Sequence, residues 1–184
     1  MPWCCVNLED VTRIEDTFRN SRSPDELFDA FQNAIKINLN DSDTFKILIA
    51  NPALTPNEIK MFTGRLLKEI PDNALDLLLW TGKVLENHPD NYNYLEDTIL
   101  IYQRAIFYKP NSHEPLLRLL NLYNHEIDLP TNQKILNLID ESVAAVDQKS
   151  KVYYSLAKHY KKCGDPKSEK KYLQLAEKSV KREG

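Results

Sequence analysis

SKVYYSLAKHYKKCGDPKSEKKYLQLAEKSVK, residues 150–181, reads as two helices joined by one sharp turn. In its first half Tyr153, Leu156, Ala157 and Tyr160 recur at intervals of three and four residues, which puts them on one helical face. Gly164-Asp165-Pro166 then breaks the helix, supplying a residue that tolerates left-handed backbone and a proline suited to open the next helix. Leu173, Ala176 and Val180 form the apolar stripe of the second half. The unit is a helix hairpin, and a search outward for its like decides the architecture.

The same punctuation recurs upstream. Ser23-Pro24-Asp25-Glu26 and Thr55-Pro56-Asn57-Glu58 each place a hydroxyl before a proline, with glutamate at the third helical position. Both read as capping boxes. Pro71-Asp72, Pro110-Asn111-Ser112 and Leu129-Pro130-Thr131 are further breaks. Leu27, Phe28, Phe31, Ala34 and Ile35 form one stripe, and Ile135, Leu138, Ile139, Val143 and Val146 another. Leu75 through Trp80 is apolar on nearly every side, which predicts a fully packed helix. The chain has 4 glycines against 10 prolines, too few glycines for the tight turns of an all-β fold.

The pattern predicts an all-α chain with ten helices, near 8–19, 24–38, 42–50, 56–69, 72–87, 93–108, 113–125, 131–146, 150–162 and 165–181. They pair into about five antiparallel hairpins beginning near 8, 42, 72, 113 and 150, at intervals of 34, 30, 41 and 37 residues. Such a spacing is the mark of an α-α superhelix, a solenoid in which each hairpin buries its apolar face against its neighbours. At 184 residues the expectation is a single helical-repeat domain, 1–184, with divergent hairpins over 1–70 and more regular ones over 71–184.

The last three hairpins resemble tetratricopeptide repeats (TPR). Tyr153, Leu156-Ala157, Tyr160, Gly164, Leu173 and Ala176 stand at the family's positions in the last. Leu116, Leu119-Leu120, Tyr123, Ile135 and Ile139 do so in the one before, and Tyr102, Ala105 and Pro110 in the third from the end. The likeness covers about 110 residues, lacks the Trp-Leu-Gly signature and varies in loop length. The run from Ile101 to Pro110 is also similar to half-a-TPR repeats of RNA-processing assemblies.

Composition narrows the function. With 42% hydrophobic and 28% charged residues the chain reads as a folded globular protein, and no apolar run reaches the length of about 20 residues needed to cross a bilayer. The segment Met1-Pro2-Trp3-Cys4-Cys5 does not read as a secretion signal. Three cysteines, Cys4, Cys5 and Cys163, two of them adjacent, suit a reducing compartment and incidental thiols, so a cytoplasmic location is expected. His88, His113, His125 and His159 are scattered without metal-site spacing, and there is no phosphate-binding glycine loop or nucleophile elbow. Neither an enzyme nor a cofactor is expected.

The net charge of −3 hides an asymmetry. Residues 149–184 carry 11 basic against 4 acidic side chains, and residues 1–148 carry 13 against 23. A basic end on an acidic body steers acidic partners, although lysines spread round a last helix also serve to solvate it.

The TPR resemblance implies a partner segment held in a concave groove lined by Glu114, Leu117, Arg118, Asn121 and Asn124 of the fourth hairpin, and by Lys151, Tyr154, Ser155, Lys158 and Lys161 of the fifth. Asn121, Lys151 and Lys158 offer one amide and two ammonium groups to a carboxylate. Leu117 and Ser155 stand where chaperone-binding relatives carry lysine and arginine or asparagine, so their full C-terminal clamp is not expected. The expected function is protein–protein interaction as a scaffold, with an acidic protein segment as partner and no membrane. The alternative is a component of an RNA-processing assembly, which would allow a nuclear location, with RNA contacted little if at all directly. Self-association through the end hairpins is compatible with both.

Overall fold

The computed structural model describes residues 8–89, 91–124 and 129–183. Cys4, Cys5 and His125 lie outside them. Among the described residues the chain is all-helical: ten α-helices, three short 3-10 turns and no strand. The helices are α1 (Leu8–Asn20), α2 (Pro24–Lys36), α3 (Ser42–Ile49), α4 (Pro56–Glu69), α5 (Ala74–Glu86), α6 (Leu95–Tyr108), α7 (Glu114–Leu122), α8 (Leu129–Ser142), α9 (Lys149–Lys162) and α10 (Pro166–Glu183). Each falls near the place that hydrophobic spacing and helix punctuation give it, but α7 stops short of the predicted residue 125 and α8 short of 146, where a 3-10 turn over Val143–Ala145 takes over. They belong to two compact units, which divide between Tyr94 and Leu95.

In the first unit α1 packs on α2 and α3, and α5 packs on α3 and α4. Four phenylalanines centre its core. Phe31 meets Phe45 edge-on at 6.1 Å and Phe62 at 4.9 Å between ring centroids, while Phe18 lies 6.3 Å from Phe45. Phe28, expected on the same stripe, is 42% exposed and touches this cluster from its rim. The helix predicted to be packed on all sides is α5, and it is not: Leu77 and Leu78 are buried, but Leu75, Leu79 and Trp80 are half-buried. Trp80 sits at that margin because its indole N–H needs an acceptor, and it donates to the Lys46 carbonyl at 2.9 Å.

Polar groups inside this unit are matched. Buried Asn51 donates to the Phe18 and Ser21 carbonyls at 2.8 and 3.0 Å and accepts from the Ala53 N–H at 2.8 Å. Its amide thereby satisfies carbonyls at the end of α1 that have no partner within the helix. The Thr63 and Thr81 hydroxyls lie 2.9 Å apart, and each also bonds the carbonyl one turn back, so three contacts share two protons. Lys46 pairs with both Asp43 and Asp76. Burial pulls its ammonium pKa down, but hydrogen bonds to the two carboxylates outweigh that and raise it.

The two capping boxes differ. Thr55 accepts from the Glu58 N–H at 3.3 Å and Glu58 Oε2 accepts from the Thr55 N–H at 2.7 Å, so that box is complete. At Ser23 only half forms. Its hydroxyl accepts from the Glu26 N–H, but the Glu26 carboxylate takes the Ser21 hydroxyl at 2.6 Å, and the Ser23 N–H turns to Ser21 as well. Thr55→Ala is therefore expected to cost about 1 kcal/mol, seen as an earlier urea midpoint in tryptophan fluorescence. Ser23→Ala should cost less, and equal losses would contradict the assignment.

In the second unit α6 packs on α7 and α8, α7 on α8 and α9, and α9 on α10. The α9–α10 hairpin closes along its length because Ala157 and Ala176 are both buried where the helices meet. At its turn Gly164 takes φ +71°, the Asp165 N–H returns to the Tyr160 carbonyl, and Asp165 caps α10 through the Lys167 and Ser168 N–H groups. At its open end the Glu183 carboxylate accepts from the Ser150 N–H and hydroxyl, capping α9 from the far end of α10.

The stripe of α10 is rotated from the expected one. Leu173 and Val180 are 38% and 48% exposed, while Tyr172 and Ala176 face inward. Aromatic packing decides this. Tyr172 stacks on Tyr160 at 5.3 Å with the planes 4° apart, lies 6.2 Å from Tyr153, and its hydroxyl meets Asp140 at 3.1 Å. A leucine in its place would have no acceptor to match and a smaller surface to bury.

Candidate functional site

The second unit sets α7 and α9 side by side, and both ends of that contact are tied. At one end the Asp147 N–H donates to the Asn111 carbonyl at 3.0 Å, and the Asn111 amide donates to the Asp147 carboxylate at 2.8 Å. At the other the Tyr123 and His159 rings meet edge to face with centroids 4.3 Å apart.

Tyr123 reaches His159 because α7 stops early. Spacing predicts a helix to residue 125, but α7 ends at Leu122 and Tyr123 takes φ −59°, ψ 122°. Buried Asn132 of α8 holds the departing strand of chain, donating to the Asn124 carbonyl at 2.8 Å and accepting from its N–H at 3.3 Å. An asparagine side chain reproduces the paired donor and acceptor of a backbone amide, so the chain leaves the helix with both groups satisfied.

Around the Tyr123–His159 contact lies a cleft of about 430 Å³. From the α7 side it is lined by Leu120, Asn121, Tyr123 and Asn124, and from the α9 side by Ser155, Lys158, His159, Lys162 and Cys163. No carboxylate is among those nine side chains. Lys158 and Lys162 are one turn apart on α9, as are His159 and Cys163, so each pair points the same way. The His159 Nε2 lies 3.5 Å from the Cys163 sulfur. Burial, helped by the negative charge of Asp165, raises the Cys163 pKa, which keeps the thiol protonated and a poor nucleophile at neutral pH.

The residues named from sequence divide between this cleft and the surface beside it. Asn121, Asn124, Ser155 and Lys158 line the cleft; Glu114, Leu117, Arg118, Lys151, Tyr154 and Lys161 do not. Lys151, Tyr154, Lys158 and Lys161 are all exposed along α9, and Tyr154 is 45% exposed. Lys151 precedes Lys158 by two turns, so of the three carboxylate-clamp residues only Asn121 and Lys158 share the cleft.

Sequence reading missed Tyr123, His159, Lys162 and Cys163 as cleft residues. Tyr123 reads as core by spacing and is half-buried. Spacing did hold a signal for the rest: the 158/162 and 159/163 pairs sit one helical turn apart, opposite Asn121 at the end of α7 and Asn124 just beyond it.

The described residues contain no group of three or more His, Cys, Asp and Glu side chains placed to hold a metal ion. None of their helices is long and apolar enough to cross a membrane. No family model, no curated protein and no solved structure matches the chain.

Proposed function

We propose that this chain is a non-catalytic protein-interaction scaffold that holds an acidic partner segment along α7 and α9. The observation that carries the reading is the cleft with two lysines and no carboxylate among its described lining residues, continued along α9 by exposed Lys151, Tyr154 and Lys161. An extended or helical segment lying there would set its acidic side chains against ammonium groups and its apolar ones against Tyr154. Arg118 and Asn121 would contact it from α7, and Asn124 from the chain just beyond.

A TPR-like solenoid is the architecture this function would use. Successive packing of α1, α3 and α5 in the first unit, and of α7 and α9 in the second, supports that reading. So does the pairing of α1 with α2, α7 with α8 and α9 with α10, while α4 packs more on α5 than on α3. Work of this kind belongs in the cytoplasm, whose reducing conditions suit the protonated thiol of Cys163.

The test is affinity capture from native lysate with and without ribonuclease, run beside the double variant Lys151→Glu, Lys158→Glu. A discrete partner set that survives ribonuclease and falls about tenfold in the variant is the expected result, since rim charges reversed against an acidic segment oppose its encounter. Undiminished capture by the variant removes α9 from the binding surface. Loss of the whole set on ribonuclease treatment transfers the chain to the RNA-processing reading, which the run Ile101–Pro110 favours.

A further inference from the structure

Resting on that interaction reading, we propose that the α7–α9 cleft is the acceptor for a phosphomonoester carried on the partner segment, a phosphorylated side chain rather than a glutamate or aspartate. The charge of the cleft points there. Lys158 and Lys162 put two ammonium groups at its edge, and among the described residues neither has an ion-pair partner. None of the described lining residues carries a carboxylate, and Lys158 and Lys162 bring two positive charges to the cleft. One carboxylate neutralises one of them; a phosphomonoester, with a charge of about −1.5 to −2 at neutral pH, neutralises both.

The count of donors agrees. A phosphomonoester presents three terminal oxygens, each wanting more than one donor. Lys158 and Lys162 supply the charged donors, the Ser155 hydroxyl a neutral one, and the Asn121 amide two more from the opposite helix. Placing donors on both α7 and α9 favours a ligand with oxygens pointing in three directions over the planar pair of a carboxylate. The wall made by Leu120 and the Tyr123 ring lowers the local dielectric on one side, which strengthens charge-assisted bonds formed against it. At about 430 Å³ the cleft has room for the phosphate and the side chain that bears it, but the neighbouring segment must run outside along α9.

The experiment is fluorescence anisotropy on the full chain with a pool of nine-residue peptides of degenerate flanks and a central phosphoserine. Its serine and glutamate twins, inorganic phosphate as competitor, and a twelve-nucleotide single-stranded RNA are run in parallel. The phosphoserine pool is expected to bind at least about tenfold tighter than the serine pool and several-fold tighter than the glutamate pool. Lys158→Ala and Lys162→Ala should each remove about fivefold or more of that preference, and Lys178→Ala, on α10 outside the cleft, less than about twofold. All three lysines are exposed surface residues, and far-UV circular dichroism verifies that each variant folds. Equal binding of phosphoserine and serine pools, or an equal loss in all three variants, overturns the proposal in favour of diffuse surface charge. Inorganic phosphate that binds as tightly as the peptide overturns the peptide source, and RNA that binds tighter with the same lysine dependence overturns the partner class. If lysate capture survives phosphatase treatment yet fails with the Lys151→Glu, Lys158→Glu variant, the interaction reading stands and the phosphate proposal falls.

Discussion

Replacing Phe31 with alanine is expected to lower the stability of the first unit by about 4 kcal/mol, the largest single effect in that unit. The side chain is 2% exposed and its ring is the member of the aromatic cluster that touches both Phe45 and Phe62. Truncation removes the transfer free energy of the ring and leaves a hole bordered by α3 and α4, whose backbones are held by the Asp41 and Thr55 caps and cannot slide inward. Two edge-on ring contacts are lost with it, at about 0.5–1.5 kcal/mol each. Phe28, one turn earlier on α2, has the same chemistry but a half-open site, so Phe28→Ala should cost about 1 kcal/mol or less. Urea unfolding followed by tryptophan fluorescence reports the difference, because Trp80 lies in the same unit. Similar losses for the two variants would mean that the cluster is not the centre of the core.

That contrast also shows where sequence reading stops. Both phenylalanines lie on the stripe of α2, and spacing alone ranks them equally. Helix positions were legible because local signals fix them: a hydroxyl before Pro24 and Pro56, Gly164 at a turn, Asp165 ahead of Pro166. The long-range choices were not. Asn51 closes the end of α1 from 30 to 33 residues away, and Asn132 draws Asn124 out of α7. Nothing within either asparagine's own neighbourhood in sequence says which distant carbonyl it will meet. The α10 stripe failed for a related reason: a leucine outranks a tyrosine as a core residue by apolarity alone, but Asp140 gives the tyrosine hydroxyl a partner and Tyr160 gives its ring a flat surface. The candidate site was half legible. Exposed side chains on α7 and α9 could be listed from the repeat pattern, whereas the end of α7 at Leu122, which turns Tyr123 toward His159 and so shapes the cleft, could not.

Truncation of Tyr172 is the second large effect. Tyr172→Ala should cost the second unit about 3–4 kcal/mol, because a 5% exposed ring, one stacked contact and one hydrogen bond to a carboxylate all go together. Tyr172→Phe keeps the ring and should cost only about 1–2 kcal/mol, the share of the bond to Asp140.

Those two variants separate packing from charge, and alkaline pH separates them again. Burial, the negative charge of Asp140 and neighbouring Tyr160 push the Tyr172 pKa up, and Tyr153 and Tyr160 are raised for the same first two reasons. In the unfolded chain all three titrate near 10. Their neutral forms therefore contribute stability that is fully present below about pH 10 and is lost as pH rises above it toward their higher folded values. Far-UV circular dichroism across pH 8–12 should show the unit unfolding on the alkaline side, with the share of tyrosine absorbance that comes from these three rings rising in step with it. Tyr172→Phe removes the strongest of the three proton linkages. Its stability should then start lower at pH 8 and fall less steeply above pH 10, so that the gap to the unsubstituted chain narrows with rising pH. A gap that stays constant would show that the Tyr172 hydroxyl ionises in the fold as easily as in water, which the carboxylate 3.1 Å away opposes.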